Sequence, residues 1–148
     1  MKLIIGADHA GFFLKEIIKH TLIATGIEIV DIGTDNDTSV DYPDFASQVA
    51  RRVSTGEIGK GILVCGSGVG MAIVANKYPN VRAVLGLDVE TALMSRKHND
   101  TNVLALAGRR TSPDDAKAIV QTWLDTDFEG GRHKMRLKKI TDIENGSI

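Results

Sequence analysis

The sequence of 148 residues lacks several features that would place it in particular classes of protein. It has a single cysteine, Cys65, so an intrachain disulfide is impossible and a zinc site of four cysteines is excluded. The apolar runs at 62–65 and 103–107 are far shorter than the roughly 18 residues that a bilayer span needs. No basic region followed by a long apolar stretch opens the chain, so we expect no signal peptide and a cytoplasmic location.

A large charge of either sign is also missing. The formal net charge is −1, which provides no general field for holding nucleic acid or an anionic membrane, and neither is an expected partner. Hydrophobic residues make up 43% of the chain and charged residues 25%, both ordinary for a globular protein. The length predicts one domain over 1–148, large enough to bury a full core without disulfide or metal support.

Short apolar runs alternate with longer segments of helical period. The predicted strands, rich in Ile, Val and Leu, are 3–7, 28–32, 61–65, 81–85 and 103–106. The predicted helices are 13–22, 46–53, 69–77, 89–97, 113–123 and 132–145. Asp88 and Ser112 are placed to cap two of them, and Pro113 suits a first helical position. The alternation predicts an α/β fold, a Rossmann-like three-layer α/β/α arrangement with a five-stranded parallel sheet and a C-terminal helix.

Ligands of open α/β sheets bind beyond the carboxyl ends of the strands, so a site is expected there. The first strand is followed directly by Asp8 and His9, a carboxylate next to an imidazole. Asp8 could equally cap the next helix, and His9 could be an ordinary loop residue. The residues alone leave both interpretations open.

The third strand ends at Cys65, followed by Gly66, Ser67, Gly68, Val69 and Gly70. A glycine-rich loop that opens a helix can direct backbone N–H groups at an anion, and thiols beside helix N-termini ionise more readily. The loop could also be a simple tight turn, and most lone cysteines are small buried hydrophobes. The position of Cys65 at the end of its strand favours a functional role. The loop fits neither the dinucleotide fingerprint nor the P-loop pattern.

Basic residues lie in two further places. Arg132 and Arg136 are four apart, so they share a helix face and could bind one phosphate, although a solvated basic face is the usual meaning of such a run. Arg109 and Arg110 follow the fifth strand. His98, near the end of the fourth helix, could be a cap or a local ion-pair partner. The spacings exclude a zinc protease, a calcium loop and a serine hydrolase.

Six motifs together resemble a known family, the type B ribose-5-phosphate isomerases and the related galactose-6-phosphate isomerases. They are Gly-Ala-Asp-His-Ala-Gly at 6–11, Asp-Tyr-Pro-Asp-Phe-Ala at 41–46, Cys-Gly-Ser-Gly-Val-Gly at 65–70, Ala-Asn-Lys at 75–77, Arg-Lys-His-Asn-Asp at 96–100 and Gly-Gly-Arg-His at 130–133. They occur in the order of the family across nearly the whole chain, and the ordered set is far more specific than any one motif.

The resemblance implies interconversion of ribose 5-phosphate and ribulose 5-phosphate, a step of the non-oxidative pentose phosphate pathway, through a cis-enediolate with no metal and no organic cofactor. By the family pattern Cys65 is the base, and the backbone N–H groups of the loop hold the enediolate oxygens. Ser67 is implied to shuttle a proton between those oxygens. One branch of the family uses a glutamate instead of the cysteine, but Met71 stands at that position here and cannot accept a proton.

The resemblance assigns ring opening of the sugar to His98, assisted by Asp8. Sugar contacts are assigned to Asn99 and Tyr42. The phosphate would be held by His9, Arg109, Arg132 and Arg136.

Members of the family are homodimers or dimers of dimers with shared sites, so a second copy of the chain is an expected partner beside the small sugar phosphate. The resemblance places Cys65 and Asp8 of one chain against His98 of the other. Two other functions stay open: isomerisation of a six-carbon sugar phosphate, such as allose or galactose 6-phosphate, and non-catalytic sugar-phosphate binding.

Overall fold

The computed structural model of the protein describes residues 1–147 as five strands and six helices; Ile148, which the single-domain prediction includes, lies outside the described residues. The strands are β1 Lys2–Ala7, β2 Glu28–Asp31, β3 Gly61–Cys65, β4 Ala83–Leu85 and β5 Val103–Ala107. The helices are α1 Phe12–Ala24, α2 Tyr42–Ser54, α3 Val69–Ala75, α4 Val89–Asn99, α5 Pro113–Asp125 and α6 Arg132–Glu144.

All five strands form one parallel sheet in the order β2-β1-β3-β5-β4. The chain runs from β1 outward to β2, then returns to place β3 on the other side of β1. A topological switch point of this kind opens a crevice at the carboxyl ends of the two strands concerned. The predicted α/β class, the parallel sheet and the C-terminal helix are all confirmed.

Helices cover both faces of the sheet, which explains why its central strands are apolar throughout. Successive β1 residues point to opposite faces, so Leu3 and Ile5 pack in one core while Ile4 packs in the other. Helices α1, α4 and α5 contribute to the first core and α2 and α3 to the second. The sheet is therefore the middle of three layers, and the ends of its strands are the places that the helices leave open for polar residues.

Two helix starts form as the sequence predicts. The Asp88 carboxylate accepts a hydrogen bond from the Thr91 N–H over 2.7 Å, and the Ser112 hydroxyl accepts one from the Asp115 N–H over 3.1 Å. Each side chain satisfies a backbone donor that has no partner within its own helix. Pro113 occupies the start of α5, where its missing N–H costs nothing.

Helix α2 begins at Tyr42, four residues before the predicted start, and Asn76 lies at a second difference from the predicted boundaries. Helix α3 ends at Ala75 rather than at 77, and β4 begins at Ala83 rather than at 81. The Asn76 side chain accepts from the Ala83 N–H over 2.8 Å and donates to the Ala83 carbonyl over 2.9 Å. This side chain thereby satisfies both backbone groups of Ala83 at the outer edge of the sheet.

Helix α6 packs on α4 and leaves apolar side chains exposed, among them Met135, Ile140 and Ile143. Its last residue, Glu144, accepts a hydrogen bond from the Asn80 N–H over 2.9 Å. Among residues 1–147 no helix combines the length and apolar character needed to cross a bilayer.

Candidate active site

A cavity of about 350 Å³ opens where β1, β3 and β5 end, at the switch point of the sheet. Its lining residues come from the segments that follow those strands and from the start of α2: Asp8, His9, Ala10, Tyr42, Cys65, Gly66, Ser67, Gly70, Arg109 and Arg110. Eight of these ten are residues that the sequence analysis proposed for the site. The order of the strands brings them together, although they are spread over more than 100 positions of the sequence.

Asp8 combines the two interpretations that the sequence left open. Its carboxylate oxygen Oδ1 accepts a hydrogen bond from the N–H of Gly11, the residue that precedes α1, over 3.0 Å. The side chain is buried and also lines the cavity. Asp8 is thus held by the start of the helix while its second oxygen remains available to a ligand.

His9 is held in one orientation by the backbone. Its ring nitrogen Nδ1 accepts a hydrogen bond from the Val40 N–H over 3.2 Å. In the neutral ring the proton must then reside on Nε2. His9 therefore offers a ring N–H donor at the cavity.

Cys65 lies at the last position of β3 with its side chain nearly buried. Its Sγ atom accepts a hydrogen bond from the Gly68 N–H over 3.1 Å, and the residue lines the cavity. The sulfur is thus neither sealed in the core nor turned away from the glycine loop. The thiol therefore lies at the cavity beside a backbone donor, where it can act on a ligand.

Glycine is required at position 68 by the shape of the loop. Its φ is +75°, and a Cβ there would lie 2.5 Å from Cδ1 of Leu85. The Val69 N–H donates to the Ser67 hydroxyl over 3.3 Å. The first backbone hydrogen bond of α3 runs from the Ala72 N–H to the Gly68 carbonyl. The N–H groups of Gly68 and Val69, both assigned to the enediolate, therefore bond the side chains of Cys65 and Ser67 instead. Gly68 and Val69 do not line the cavity, whereas Gly66, Ser67 and Gly70 do.

Tyr42 packs directly on the loop from the start of α2. A Cβ added at Gly70 would lie 2.6 Å from Cε2 and Cζ of the Tyr42 ring. Glycine at position 70 therefore makes room for the aromatic ring beside the cavity. Met71, the next residue, is fully buried in the core.

The turn after β5 is fixed to the cysteine loop through the backbone. The Gly108 N–H donates to the Cys65 carbonyl over 2.7 Å, and the Arg109 N–H donates to the Gly66 carbonyl over 3.1 Å. The Arg109 guanidinium lies over Gly66, with Nη1 3.3 Å from where a Cβ would stand. Arg110, absent from the predicted site, also lines the cavity; its position next to Arg109 was the available signal.

The remaining predicted residues, His98, Asn99, Arg132 and Arg136, do not line this cavity. Helix α4 connects parallel strands, so it runs back along the sheet and ends near the amino end of β5. The Asn99 carbonyl accepts a hydrogen bond from Nε of Arg82, the residue just before β4. Within one chain, His98 therefore lies at the amino ends of the strands and Cys65 at their carboxyl ends, which are the two opposite edges of the sheet. A five-residue strand, which spans about 16 Å, separates them.

His98 belongs to a cluster with His133 and Glu129 that is not predicted from the sequence. Its ring stacks on that of His133 with centroids 4.2 Å apart and planes inclined by 15°. The Glu129 carboxylate lies 3.9 Å from Nε2 of His98 and 3.7 Å from Nε2 of His133. Burial lowers the pKa of His133, and the neighbouring His98, Arg132 and Arg136 act in the same direction.

These three residues each place a potential metal-ligating atom within 4.8 Å of the other two, a spacing that is compatible with a metal ion. An imidazole binds a metal through a lone pair in the plane of its ring. Stacked rings inclined by only 15° cannot both direct those lone pairs at one ion between them. The observed arrangement therefore does not suit a metal bound by both rings.

Fold and cavity together define a class of protein: a doubly wound α/β domain with a thiol, a glycine-rich loop and two arginines around one small pocket. Within residues 1–147 neither Arg109 nor Arg110 makes a side-chain hydrogen bond or ion pair. Such a site can hold a small anionic substrate while a proton moves between its atoms.

Comparison with known proteins identifies the family. The model of the ribose/galactose isomerase family matches residues 3–140. The chain is 49% identical to ribose-5-phosphate isomerase B of Escherichia coli, covering 97% of this chain and 96% of that protein. It is 44% identical to a putative sugar phosphate isomerase of Bacillus subtilis over the whole of both chains.

Solved structures of ribose-5-phosphate isomerases B have the same fold as this chain. A Clostridium thermocellum ribose-5-phosphate isomerase B superposes with a TM-score of 0.97 at 47% identity, covering all of both chains. A Mycoplasma genitalium ribose-5-phosphate isomerase B, solved with bound ribulose 5-phosphate, has a TM-score of 0.93 at 40% identity, covering 97% of this chain and 96% of that one. The chain therefore belongs to the ribose/galactose isomerase family.

Proposed function

We propose that this protein is an aldose–ketose isomerase that interconverts ribose 5-phosphate and ribulose 5-phosphate. The Escherichia coli relative carries this activity in its name, and the Mycoplasma genitalium structure contains the ketose product. The observation that carries the proposal is the Cys65 sulfur at the cavity with the Gly68 N–H directed at it. A thiol so placed provides a base beside amide donors.

Isomerisation moves one proton between C1 and C2 of the open-chain sugar. In our scheme the Cys65 thiolate removes the proton from C2 of the aldose and returns it to C1. The charge left by the first transfer spreads over O1 and O2 of the enediolate, where N–H donors stabilise it. The amides of Ser67 and Gly70 take this role, because those of Gly68 and Val69 already contact loop side chains. Ser67 passes a proton between O2 and O1.

Ribose 5-phosphate is mostly a closed ring, so the bond between C1 and the ring oxygen must break first. His98 protonates the ring oxygen while Asp8 accepts the proton of the C1 hydroxyl. The Nε2–H of His9 and the Arg109 guanidinium bind the phosphate within the cavity. Arg132 and Arg136 supply further cations, and Asn99 and Tyr42 contact the sugar.

Because His98 and Cys65 lie at opposite edges of one sheet, this scheme requires two copies of the chain. We propose a homodimer in which Cys65, Asp8 and His9 of one copy face His98, Asn99, Arg132 and Arg136 of the other. The exposed apolar side chains of α6, including Met135 and Ile143, fit such an interface. A tetramer made of two such dimers would keep the same sites.

Subunit complementation tests the shared site. Cys65→Ala and His98→Asn chains are each expected to be nearly inactive, and co-refolding them forms mixed dimers with one intact site each. Equal amounts should recover about a quarter of wild-type activity, because half of random dimers are mixed. A co-refolded mixture that stays as inactive as its parents would show that each site lies within one chain.

The isomerase itself is tested by following ketose formation from ribose 5-phosphate with the purified protein. Turnover supports the proposal, and binding without turnover would instead indicate a sugar-phosphate-binding module. The family description names galactose as well as ribose, so a six-carbon substrate is the second candidate. Comparison of kcat/KM on ribose 5-phosphate, allose 6-phosphate and galactose 6-phosphate distinguishes the two, since one added carbon changes binding by about 1–3 kcal/mol.

Two broader properties belong to the same proposal. The chain acts as a single domain over 1–148, in line with the one sheet that the described residues form. Its location is the cytoplasm, where the single cysteine stays reduced.

A further inference from the structure

Glu129 has no role in the scheme above, yet its carboxylate lies beside the two stacked histidines. Oxygen Oε2 is 3.9 Å from Nε2 of His98 and 3.7 Å from Nε2 of His133. Oxygen Oε1 is 3.6 Å from Nζ of Lys97. The Glu129 N–H also donates to the Lys97 carbonyl over 3.1 Å, which fixes the backbone of this loop to α4. The carboxylate is thus held next to His98 from two sides.

Within residues 1–147, the charged groups other than Glu129 that act on the pKa of His133 are cations or the second imidazole, and Lys97 pairs with Glu129 itself. Lys97 is on α4, and Arg132 and Arg136 are on α6. Glu129 is the anion that the two rings share, and it is the group that raises the pKa of His133 against the effects of burial and the cations. Without Glu129 an imidazolium at this place would face cations and a second imidazole.

The two rings differ in their access to solvent. His133 is buried and its pKa is lowered by that burial, whereas His98 is about a third exposed. Two imidazolium rings 4.2 Å apart would repel each other strongly, which disfavours charge on both rings at once. Burial disfavours the charged form of His133, so His98, the ring that reaches solvent, is the one placed to exchange a proton with a ligand.

We propose that Glu129 is a positioning residue of the isomerase: it holds His98 in the stack with His133 and stabilises its protonated form, the acid that opens the sugar ring. This inference rests on the proposed function. In the step concerned, the bond between C1 and the ring oxygen breaks and His98 gives that oxygen a proton. Asp8 takes the proton of the C1 hydroxyl, so the aldehyde forms with no net gain or loss of electrons. Neutral His98 then takes up a proton again beside the Glu129 carboxylate.

The test uses a substrate that has no ring to open. The compound 4-deoxyribose 5-phosphate lacks the hydroxyl that closes the furanose ring, and its phosphate blocks closure through O5. Glu129→Gln should lower kcat/KM for ribose 5-phosphate about 10-fold, a part of the 10²–10⁴-fold that general acids contribute. The same variant should act on the deoxy compound within about 2-fold of wild type, because Cys65 and the amide donors are unchanged.

The pH profile provides a second readout. With the anion gone, the protonated acid persists over a narrower range, so the alkaline limb for ribose 5-phosphate should move to lower pH in Glu129→Gln. Glu129→Asp keeps the charge and should restore part of the activity on ribose 5-phosphate. Glu57 is a surface carboxylate that pairs with Arg52. Its neutralisation in Glu57→Gln is the matched control and should leave the kinetics as in wild type.

Each outcome decides between explanations. Equal loss on both substrates, with an unshifted pH profile, would mean that Glu129 has only a structural role and would overturn the inference. Unchanged kinetics in Glu129→Gln would overturn it as well. If wild-type protein turns over neither ribose 5-phosphate nor the deoxy compound, the proposed function itself fails, a result that is distinct from both.

Discussion

The backbone N–H of Gly68 points at the sulfur of Cys65 and donates a hydrogen bond to it over 3.1 Å. Residue 68 can present this donor because it adopts a φ of +75°, a conformation that favours glycine. A strand end and a left-handed glycine three residues later thus form one unit. This unit is the local structure on which the proposed chemistry depends.

Replacing the sulfur should separate chemistry from binding. Cys65→Ala is expected to lower kcat by at least about 10³-fold, since the proposed scheme then lacks the base that removes the C2 proton, while changing substrate affinity only about 3-fold. Steady-state kinetics and calorimetric binding of ribose 5-phosphate measure the two effects. Cys65→Ala should also fail to exchange the C2 proton with deuterated water. A variant that retained more than a tenth of wild-type turnover would eliminate Cys65 as the base.

Gly70→Ala should displace Tyr42. The added Cβ would stand 2.6 Å from the aromatic ring, too close for any real contact, although the helical backbone itself accepts alanine. We expect a loss of about 10-fold in kcat/KM, measured on ribose 5-phosphate. Tyr42→Ala removes the clash, so the double variant should be no worse than Tyr42→Ala alone. Additive losses in this cycle would show that the alanine acts elsewhere.

His98→Asn should affect ring opening alone. We expect kcat/KM for ribose 5-phosphate to fall by about 10²–10⁴-fold, the usual contribution of a general acid. The rate on 4-deoxyribose 5-phosphate should stay near the wild-type value because that compound is already open. His20→Asn replaces an exposed histidine on α1 and provides the matched control. Parallel losses on the two substrates would remove His98 from ring opening.

The buried Lys15 gives a prediction for stability. Its Nζ lies 2.7 Å from Oδ2 of Asp31, and Lys19 Nζ lies 2.8 Å from the same oxygen. Asp31→Asn should cost about 2–3 kcal/mol of the free energy of unfolding, as expected for hydrogen bonds to a charged group. Glu28→Gln breaks only an exposed pair with Lys2 and should cost less than about 1 kcal/mol. Urea unfolding near pH 7 measures both.

The contacts of Asp31 with Lys15 and Lys19 also predict how the free energy of unfolding depends on pH. Burial alone would raise the pKa of Asp31, but hydrogen bonds from Lys15 and Lys19 outweigh it and hold the pKa below the ordinary value of 3.8. The unfolded chain therefore binds this proton more readily than the folded chain. The contribution of Asp31 is complete above 3.8 and is lost as pH falls through the lower folded value. Wild type and Asp31→Asn should converge in stability there; a constant difference would contradict the assignment.

Local signals predicted most of the secondary structure. Continuous apolar runs marked the strands because both faces of the sheet are covered, and Ser112 with Pro113 marked the start of α5 because capping depends on near neighbours. The end of α3 and the start of β4 were each misplaced by two residues, where Asn76 bonds Ala83 across seven residues. No pattern of hydrophobicity signals a side-chain contact of that kind.

The candidate site was predicted in part. Cys65 is the last residue of β3, and Asp8 and Arg109 come just after β1 and β5, so the rule about carboxyl ends placed all three at one end of the sheet. The Glu129 cluster escaped prediction because His98 and His133 are 35 positions apart and meet only when α6 packs on α4.

By itself the sequence determined the strands, the helices, the glycine loop and the family, because each depends on residues close together in the chain or on an ordered set of motifs. The tertiary structure decided which strands are neighbours, which amides remain free for an oxyanion and which edge of the sheet receives each group. Pairing between distant strands depends on burial across the whole molecule, and only that packing separates His98 from Cys65 by the length of a strand.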